Sequence, residues 1–293
     1  MNKLDKDIHG TYRLVKGDYN KHKYSPVYYC SNERLKELFD SFSVRDKDVL
    51  TVLASSDQLF YAYLNGAKSV DTFDRNKLTK YYYYLRKWVI KYYDSFYPDK
   101  SIIFDTSDYI AKLLDRVECD TEDEREAYYY WNEYTCKVKK SGFFYPSLLI
   151  EDNIVSDVSS LKDKLDKNKL SFSLRDVTKR VSDRKKYDII ITSNLLEYIH
   201  ETLELKRTRD NLSKLLNSNG MVICSYVVGN KYSSFTKMQK EIFRNSFYIE
   251  EFPFKGLGNL NTPNSVGYAY IKKWCQQKVV DITIVFYYNN HVI

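Results

Sequence analysis

One run constrains this chain more than any other: Asp48-Val49-Leu50-Thr51-Val52-Leu53-Ala54, closed by Ser55-Ser56-Asp57. A short apolar, β-branched stretch bounded by turn-forming residues suits a buried parallel strand. Asp57 can cap a helix over 58–65, and Gly66 stands where a helix C-terminal glycine belongs. A second strand over 69–73 ends at Asp74. Helical spacing returns over 77–93, where Leu78, Tyr81, Tyr82, Leu85, Trp88, Val89 and Tyr92 make a broad apolar face. Strand, helix, strand, helix in this order predicts parallel strands joined by right-handed crossovers.

The rhythm breaks over 94–168, which reads as an insertion, either a lid or substrate region over the active site or a decorative helical pair. It holds a helix over 109–117, the aromatic cluster Tyr128-Tyr129-Tyr130-Trp131 and the loop Ser141-Gly142-Phe143-Phe144-Tyr145-Pro146. Alternation resumes with a third strand over 169–174 and a fourth at Tyr187-Asp188-Ile189-Ile190-Ile191-Thr192, too apolar to be other than central. Residues 211–216 close a helix at Asn217-Ser218-Asn219-Gly220, and a fifth strand follows over 221–227. Segments 247–252, 265–271 and 279–288 read as strands near the sheet's edge, with the loop Gly256-Leu257-Gly258-Asn259 between the first two. The expected fold is α/β: a Rossmann-like, doubly wound, mostly parallel sheet with a helical insertion between the second and third strands. Residues 1–46, with one helix over 32–42, form an N-terminal cap, and 47–293 form the main domain.

Charge and cysteine usage narrow the function. The net charge of +7 is interleaved with acidic residues and makes no basic stripe of the kind nucleic-acid binding demands. The acidic run Glu118-Cys119-Asp120-Thr121-Glu122-Asp123-Glu124 suits a solvated loop or a helix start. Five scattered cysteines without CxxC pairing signal neither a disulfide framework nor a metal site. With no signal-peptide pattern at 1–7 and no apolar run of bilayer length, a cytoplasmic protein is expected.

In an open parallel sheet, ligands sit beyond the carboxyl ends of the strands where strand order reverses. The first such loop is Ala54-Ser55-Ser56-Asp57, whose small side chains let a ligand approach a helix start. About 20 residues on, at the end of the second strand, Asp74 can accept hydrogen bonds from the ribose hydroxyls of an adenosine-containing cofactor. A dinucleotide site wants G-x-G-x-x-G to seat its pyrophosphate, and this loop contains no glycine. S-adenosylmethionine has no phosphate to seat.

These residues resemble the class I S-adenosylmethionine-dependent methyltransferases. Val49 to Gln58 is similar to their first motif, Val70-Asp71-Thr72-Phe73-Asp74 to their second, and Tyr187 to Ile199 to their fourth. Ser56-Asp57 in the first loop, with Leu64-Asn65-Gly66-Ala67-Lys68 after it, is similar to the branch containing the betaine-lipid aminocarboxypropyl transferases. The resemblance covers about half the chain and implies S-adenosylmethionine as cofactor. It implies that Ala54, Ser55, Ser56 and Asp57 meet the cofactor's amino-acid end, and that Asp74, with Arg75 and Asn76, meets its ribose. It assigns adenine to Arg175, Asp176 and Val177, and gives Ser193, Asn194 and Leu195 the face shared by cofactor and acceptor. Ser55 and Ser56 stand where the family has glycines.

A sulfonium is an excellent leaving group, so few catalytic side chains are obligatory. Glu197 and His200 are the nearest candidate bases for an acceptor that must lose a proton. The fourth motif lacks the proline-rich turn of enzymes that grip a flipped base, which favours a small-molecule or lipid-head-group acceptor over nucleic acid. Methyl transfer is the expected reaction. Aminocarboxypropyl transfer and a binding or scaffold protein without turnover stand beside it.

Overall fold

The computed structural model describes residues 31, 33, 35–96, 106–137, 157–181, 185–193, 195–199, 201–228, 238, 240–254 and 281–288. The loops 141–146 and 256–259 and the strand expected over 265–271 lie outside them. The chain divides into two compact units: Met1–Ser31, Leu53–Phe60 and Asp74–Leu174 make one, and Asn32–Val52, Tyr61–Phe73 and Arg175–Ile293 make the other.

The second unit carries the sheet. Its strands β1 (Asp48–Val52), β2 (Ser69–Asp74), β4 (Tyr187–Ile191), β5 (Leu216–Val228), β6 (Phe247–Phe254) and β7 (Asp281–Tyr288) lie in the order β2-β1-β4-β5-β7-β6. β1 runs parallel to β2, with Val49 opposite Val70, and to β4, with Leu50 opposite Ile190. β5 is parallel to β4, whereas β7 is antiparallel to both β5 and β6. The chain moves outward from β1 to β2 and then in the other direction through β4 and β5, so strand order reverses between β1 and β4. This is the Rossmann-like, mostly parallel α/β fold expected of the sequence. Val49, Leu50, Ile189, Ile190 and Ile191 are buried, as a central strand pair requires.

The helix α1 (Leu35–Ser41) buries Leu35, Leu38 and Phe39 at helical spacing, and Phe39 stacks on Tyr61 at 5.8 Å. The helix α2 (Asp57–Leu64) ends as expected at Gly66, whose φ of 82° is the left-handed cap conformation. The amide of Ala67 then reaches the Ala62 carbonyl at 3.0 Å.

The start of β5 differs most from expectation. The segment 217–220, expected as a turn, belongs to β5. Leu216 faces Tyr187 while Met221 faces Ile189, so four residues bulge from the ladder. Asn217 Nδ2 holds the bulge by donating to Asp188 Oδ1 at 2.8 Å. The preceding helix is also longer than its expected last turn, and runs over Thr202–Leu215 (the eighth helix below).

Among its described residues, the first unit carries mainly helices, with the short strand β3 (Ser171–Leu174) at its end. Its centre is α3 (Leu78–Lys91), buried nearly all round by Tyr81, Tyr82, Tyr83, Leu85, Trp88 and Val89. After it come α4 (Tyr93–Phe96), α5 (Thr106–Leu114), α6 (Glu122–Lys137) and α7 (Val158–Lys167). These form the helical insertion before β3. In α6, Trp131 Nε1 donates to the Tyr81 carbonyl at 2.8 Å, and the Tyr81 and Tyr130 rings stack at 5.0 Å. Lys80 and Lys87 of α3 meet Asp123 and Glu124 of α6 at 2.5 and 3.0 Å. The aromatic cluster at 128–131 is therefore largely packing: Tyr130, Trp131 and Tyr134 are buried, and Tyr129 is exposed. α8 is Thr202–Leu215, in the second unit. Among the described residues no helix is long and apolar enough to cross a membrane.

Candidate functional site

In the first unit, the turn after β1 and the acid ending β2 meet. The Ala54 amide donates to Asp74 Oδ2 at 3.1 Å, and the Asn76 amide donates to Oδ1 at 2.9 Å. The backbone of Arg75 is a third donor to the same carboxylate. Burial nevertheless pushes the Asp74 carboxyl above its ordinary value, against the pull of those amides and the Arg75 charge. A carboxylate offers about four acceptor sites, so three amides leave room for a further donor. Ala54 and Asp74 are half-buried and Arg75 is exposed. Asn76 is turned to a local task, since its Oδ1 accepts from the Leu78 amide at 3.0 Å in a turn that leads into α3.

The remaining side chains of the turn point into the protein. Ser55, Ser56, Asp57 and Gln58 are buried at 1% exposure or less. Asp57 Oδ1 forms an ion pair of 2.6 Å with Arg86 of α3, both side chains being fully buried. Its Oδ2 accepts from Ser55 Oγ at 2.7 Å and from the Ser31 amide at 2.6 Å. The same Arg86 donates to the Ser55 carbonyl and lies over the Phe60 ring at 4.9 Å. Ala54 and Ser56 have φ of 39° and 74°, a left-handed backbone natural to glycine. The glycine-replacing residues thus keep a glycine-like course, at 54 and 56 rather than at 55 and 56.

The other expected residues belong to the second unit. Asp176 builds its own turn, with Oδ1 accepting from Thr178 N at 3.0 Å and Thr178 Oγ1 at 2.7 Å. Val177 is buried, and its carbonyl accepts from Asn211 Nδ2 at 2.8 Å. Arg175 is half-buried, and that burial lowers its guanidinium from the usual value. Ser193, two residues after the end of β4, also has a left-handed backbone, φ 56°. Its Oγ donates to the buried Glu33, and Cys224 Sγ donates to its carbonyl at 3.1 Å. Leu195 opens a short 3-10 turn, Leu195–Tyr198, which carries Glu197. Asn194 and His200 lie outside the described residues.

Sequence reasoning missed Arg86 and Glu33. Arg86 sits on a helix rich in lysine and tyrosine, where nothing separates it from a solvated cation. Glu33 adjoins Ser193 only through contact 160 positions away in sequence. Among the described residues no cluster of histidine, cysteine and carboxylate could hold a metal ion.

Fold and turn together define a Rossmann-like α/β protein that resembles the class I S-adenosylmethionine-dependent methyltransferases. The model of the nodulation protein S (NodS) family matches residues 142–231, under a third of the chain. Among solved structures, the chain is similar to the N-methyltransferase NodS from Bradyrhizobium japonicum WM9 in complex with S-adenosyl-L-homocysteine. That pair shares 10% identity and a TM-score of 0.45, covering 95% of this chain and 98% of the other. It is also similar to a TehB-like SAM-dependent methyltransferase from Corynebacterium glutamicum, at 9% identity and a TM-score of 0.42, covering 98% of each. A methyltransferase from Pyrococcus furiosus gives 10% and 0.42, covering 99% and 100%. No curated protein matches the chain in sequence.

Proposed function

We propose that the chain is an S-adenosylmethionine-dependent transferase that moves a methyl group to a small-molecule or lipid-head-group acceptor, acting in the cytoplasm. The observation that carries this reading is the hydrogen bond from Ala54 to Asp74, which ties the turn after β1 to the acid ending β2. The donor set suits the cofactor: a half-buried carboxylate with acceptor capacity left for a hydroxyl, beside a small residue and without phosphate-seating glycines. When bound, the cofactor supplies an electrophilic methyl on a sulfonium leaving group. Asp74 would hold the ribose, and the backbone of 54–57 would lie along the amino-acid end, because the side chains of Ser55 and Asp57 are engaged within the protein. By position in the resembling motifs, adenine falls to Arg175, Asp176 and Val177, and the acceptor side to Ser193, Asn194 and Leu195. Glu197 and His200 are the groups proposed to take a proton from the acceptor.

The match to the NodS family over 142–231 supports methyl transfer. Aminocarboxypropyl transfer from the same cofactor draws on the serine-aspartate turn and the glycine-capped helix after it; product mass separates the two. Calorimetric titration with S-adenosylmethionine and S-adenosylhomocysteine tests the reading. Wild type should bind both, and Asp74→Ala should bind about tenfold more weakly or worse, as loss of a charged hydrogen-bond acceptor implies. No binding by wild type overturns it.

A further inference from the structure

Left-handed backbone at two non-glycine residues persists only where the surroundings over-determine it. In the first turn, Ala54 and Ser56 are the residues so bent, and one side chain from outside the turn reaches both of its flanks: Arg86. Its guanidinium is fully buried, pairs with Asp57 Oδ1 at 2.6 Å and also binds the Ser55 carbonyl. Asp57 passes the restraint on through Ser55 Oγ at 2.7 Å and the Ser31 amide at 2.6 Å. Phe60 and Tyr82 flank the cation at 4.9 and 5.9 Å and fix its plane. A buried ion pair is a poor source of stability compared with apolar residues of the same volume, because both charges lose their water. What this pair supplies is geometry. Both contacts are made by one guanidinium nitrogen, Nη1, aimed by a rigid plane that a flexible ammonium lacks.

We infer that Arg86 is a positioning residue: by holding Asp57 and the Ser55 carbonyl at once, it sets the first turn in its left-handed course and so presents the Ala54 amide to Asp74. It performs from outside the turn what glycines would permit from within it. The consequence for binding rests on the cofactor reading above, but the geometric claim does not.

The test combines three variants. Arg86→Met/Asp57→Asn removes both charges and leaves neither orphaned. Arg86→Lys keeps the charge and loses the rigid plane that aims Nη1. Ser56→Gly, added to the first, removes the need for a clamp. Each is checked for a cooperative melt, for amide exchange over 53–60 without ligand, and for S-adenosylhomocysteine affinity by calorimetry. The charge-free pair should exchange faster over 53–60 and bind about tenfold more weakly or worse, and Ser56→Gly should restore most of both. Arg86→Lys should show the same direction of change with its charge intact.

Wild-type exchange and affinity in a folded charge-free pair overturn the inference, as does failure of Ser56→Gly to restore them. If the charge-free pair does not fold, Arg86→Lys decides, and wild-type behaviour there overturns it. If wild type binds no S-adenosylhomocysteine, the cofactor reading fails, while ligand-free exchange still decides the role of Arg86.

Discussion

The Ala54 amide donates to Asp74 Oδ2 at 3.1 Å, so a residue that leaves β1 and the residue that ends β2 share one carboxylate. Because burial holds that carboxyl above its ordinary value, the folded protein keeps its proton more tightly than the unfolded chain does. As pH falls through the raised value, the native state therefore gains relative to the unfolded one. Cofactor affinity should move in the opposite direction, since a protonated carboxyl gives up acceptor capacity. Calorimetry across a pH series should show affinity falling at a pH above the usual carboxylate range. Asp74→Asn should flatten both the affinity curve and this part of the urea-midpoint curve.

Ser56 offers a stability test of the same turn. Its φ is 74°, and its buried Oγ has no hydrogen-bond partner among the described residues. Ser56→Ala removes the unpartnered oxygen and keeps the backbone cost; Ser56→Gly removes both. A left-handed non-glycine residue costs about 1–2 kcal/mol, offset in part by the greater unfolded-state entropy of glycine. Urea unfolding should rank Ser56→Gly the most stable, with Ser56→Ala between it and wild type.

The acidic run at 118–124 is a helix start. The Glu124 amide donates to Thr121 Oγ1 at 3.2 Å, while Glu124 Oε2 accepts from the amides of Thr121 at 3.1 Å and Asp120 at 3.0 Å. This reciprocal pair is a capping box at the head of α6. Burial alone would raise the Glu124 carboxyl, but Lys87 and the two amides outweigh it and hold the group below its ordinary value. The stabilisation is present above the unfolded-state value and is lost as pH falls through the lowered one. Thr121→Ala should cost about 1 kcal/mol by thermal or urea unfolding. Glu124→Gln should be costlier at neutral pH than in acid.

Elements with strong local signals were legible in the sequence. Apolar β-branched runs at 49–53 and 187–192 gave β1 and β4, and Gly66 marked the end of α2, because each signal lies within the element it specifies. α7 was overlooked although Val158, Leu161 and Leu165 recur at helical spacing and are all buried; the surrounding polar residues masked the stripe. The bulge at 217–220 looked like a turn because Asn217, Ser218, Asn219 and Gly220 are turn residues, and only pairing with β4 makes them part of a strand. At the candidate site, the loop and its acid were legible by order and spacing. The partner of Asp57 was not, since Arg86 lies on another element and its residue type does not tell buried from solvated.

Two glycines should respond differently to alanine, for reasons that separate conformation from space. At Gly66 an added Cβ would come no nearer than 3.7 Å to Arg45, so the penalty of Gly66→Ala is conformational, from φ 82°. At Gly220, in the β5 bulge, the added Cβ would lie 2.9 Å from Leu216 Cδ2 and 3.1 Å from the carbonyl oxygens of Asn217 and Asp188. Two of those three neighbours are backbone, and one belongs to β4, so the clash can be relieved only by shifting the ladder. Gly66→Ala should lose about 1 kcal/mol with the sheet undisturbed. Gly220→Ala should lose about 1–3 kcal/mol, the range for overpacking, and should also speed amide exchange across 187–191, where β4 would have to give way. Equal losses for the two variants, with β4 exchange unchanged in Gly220→Ala, would show that the bulge can absorb a methyl group and that its glycine serves flexibility alone.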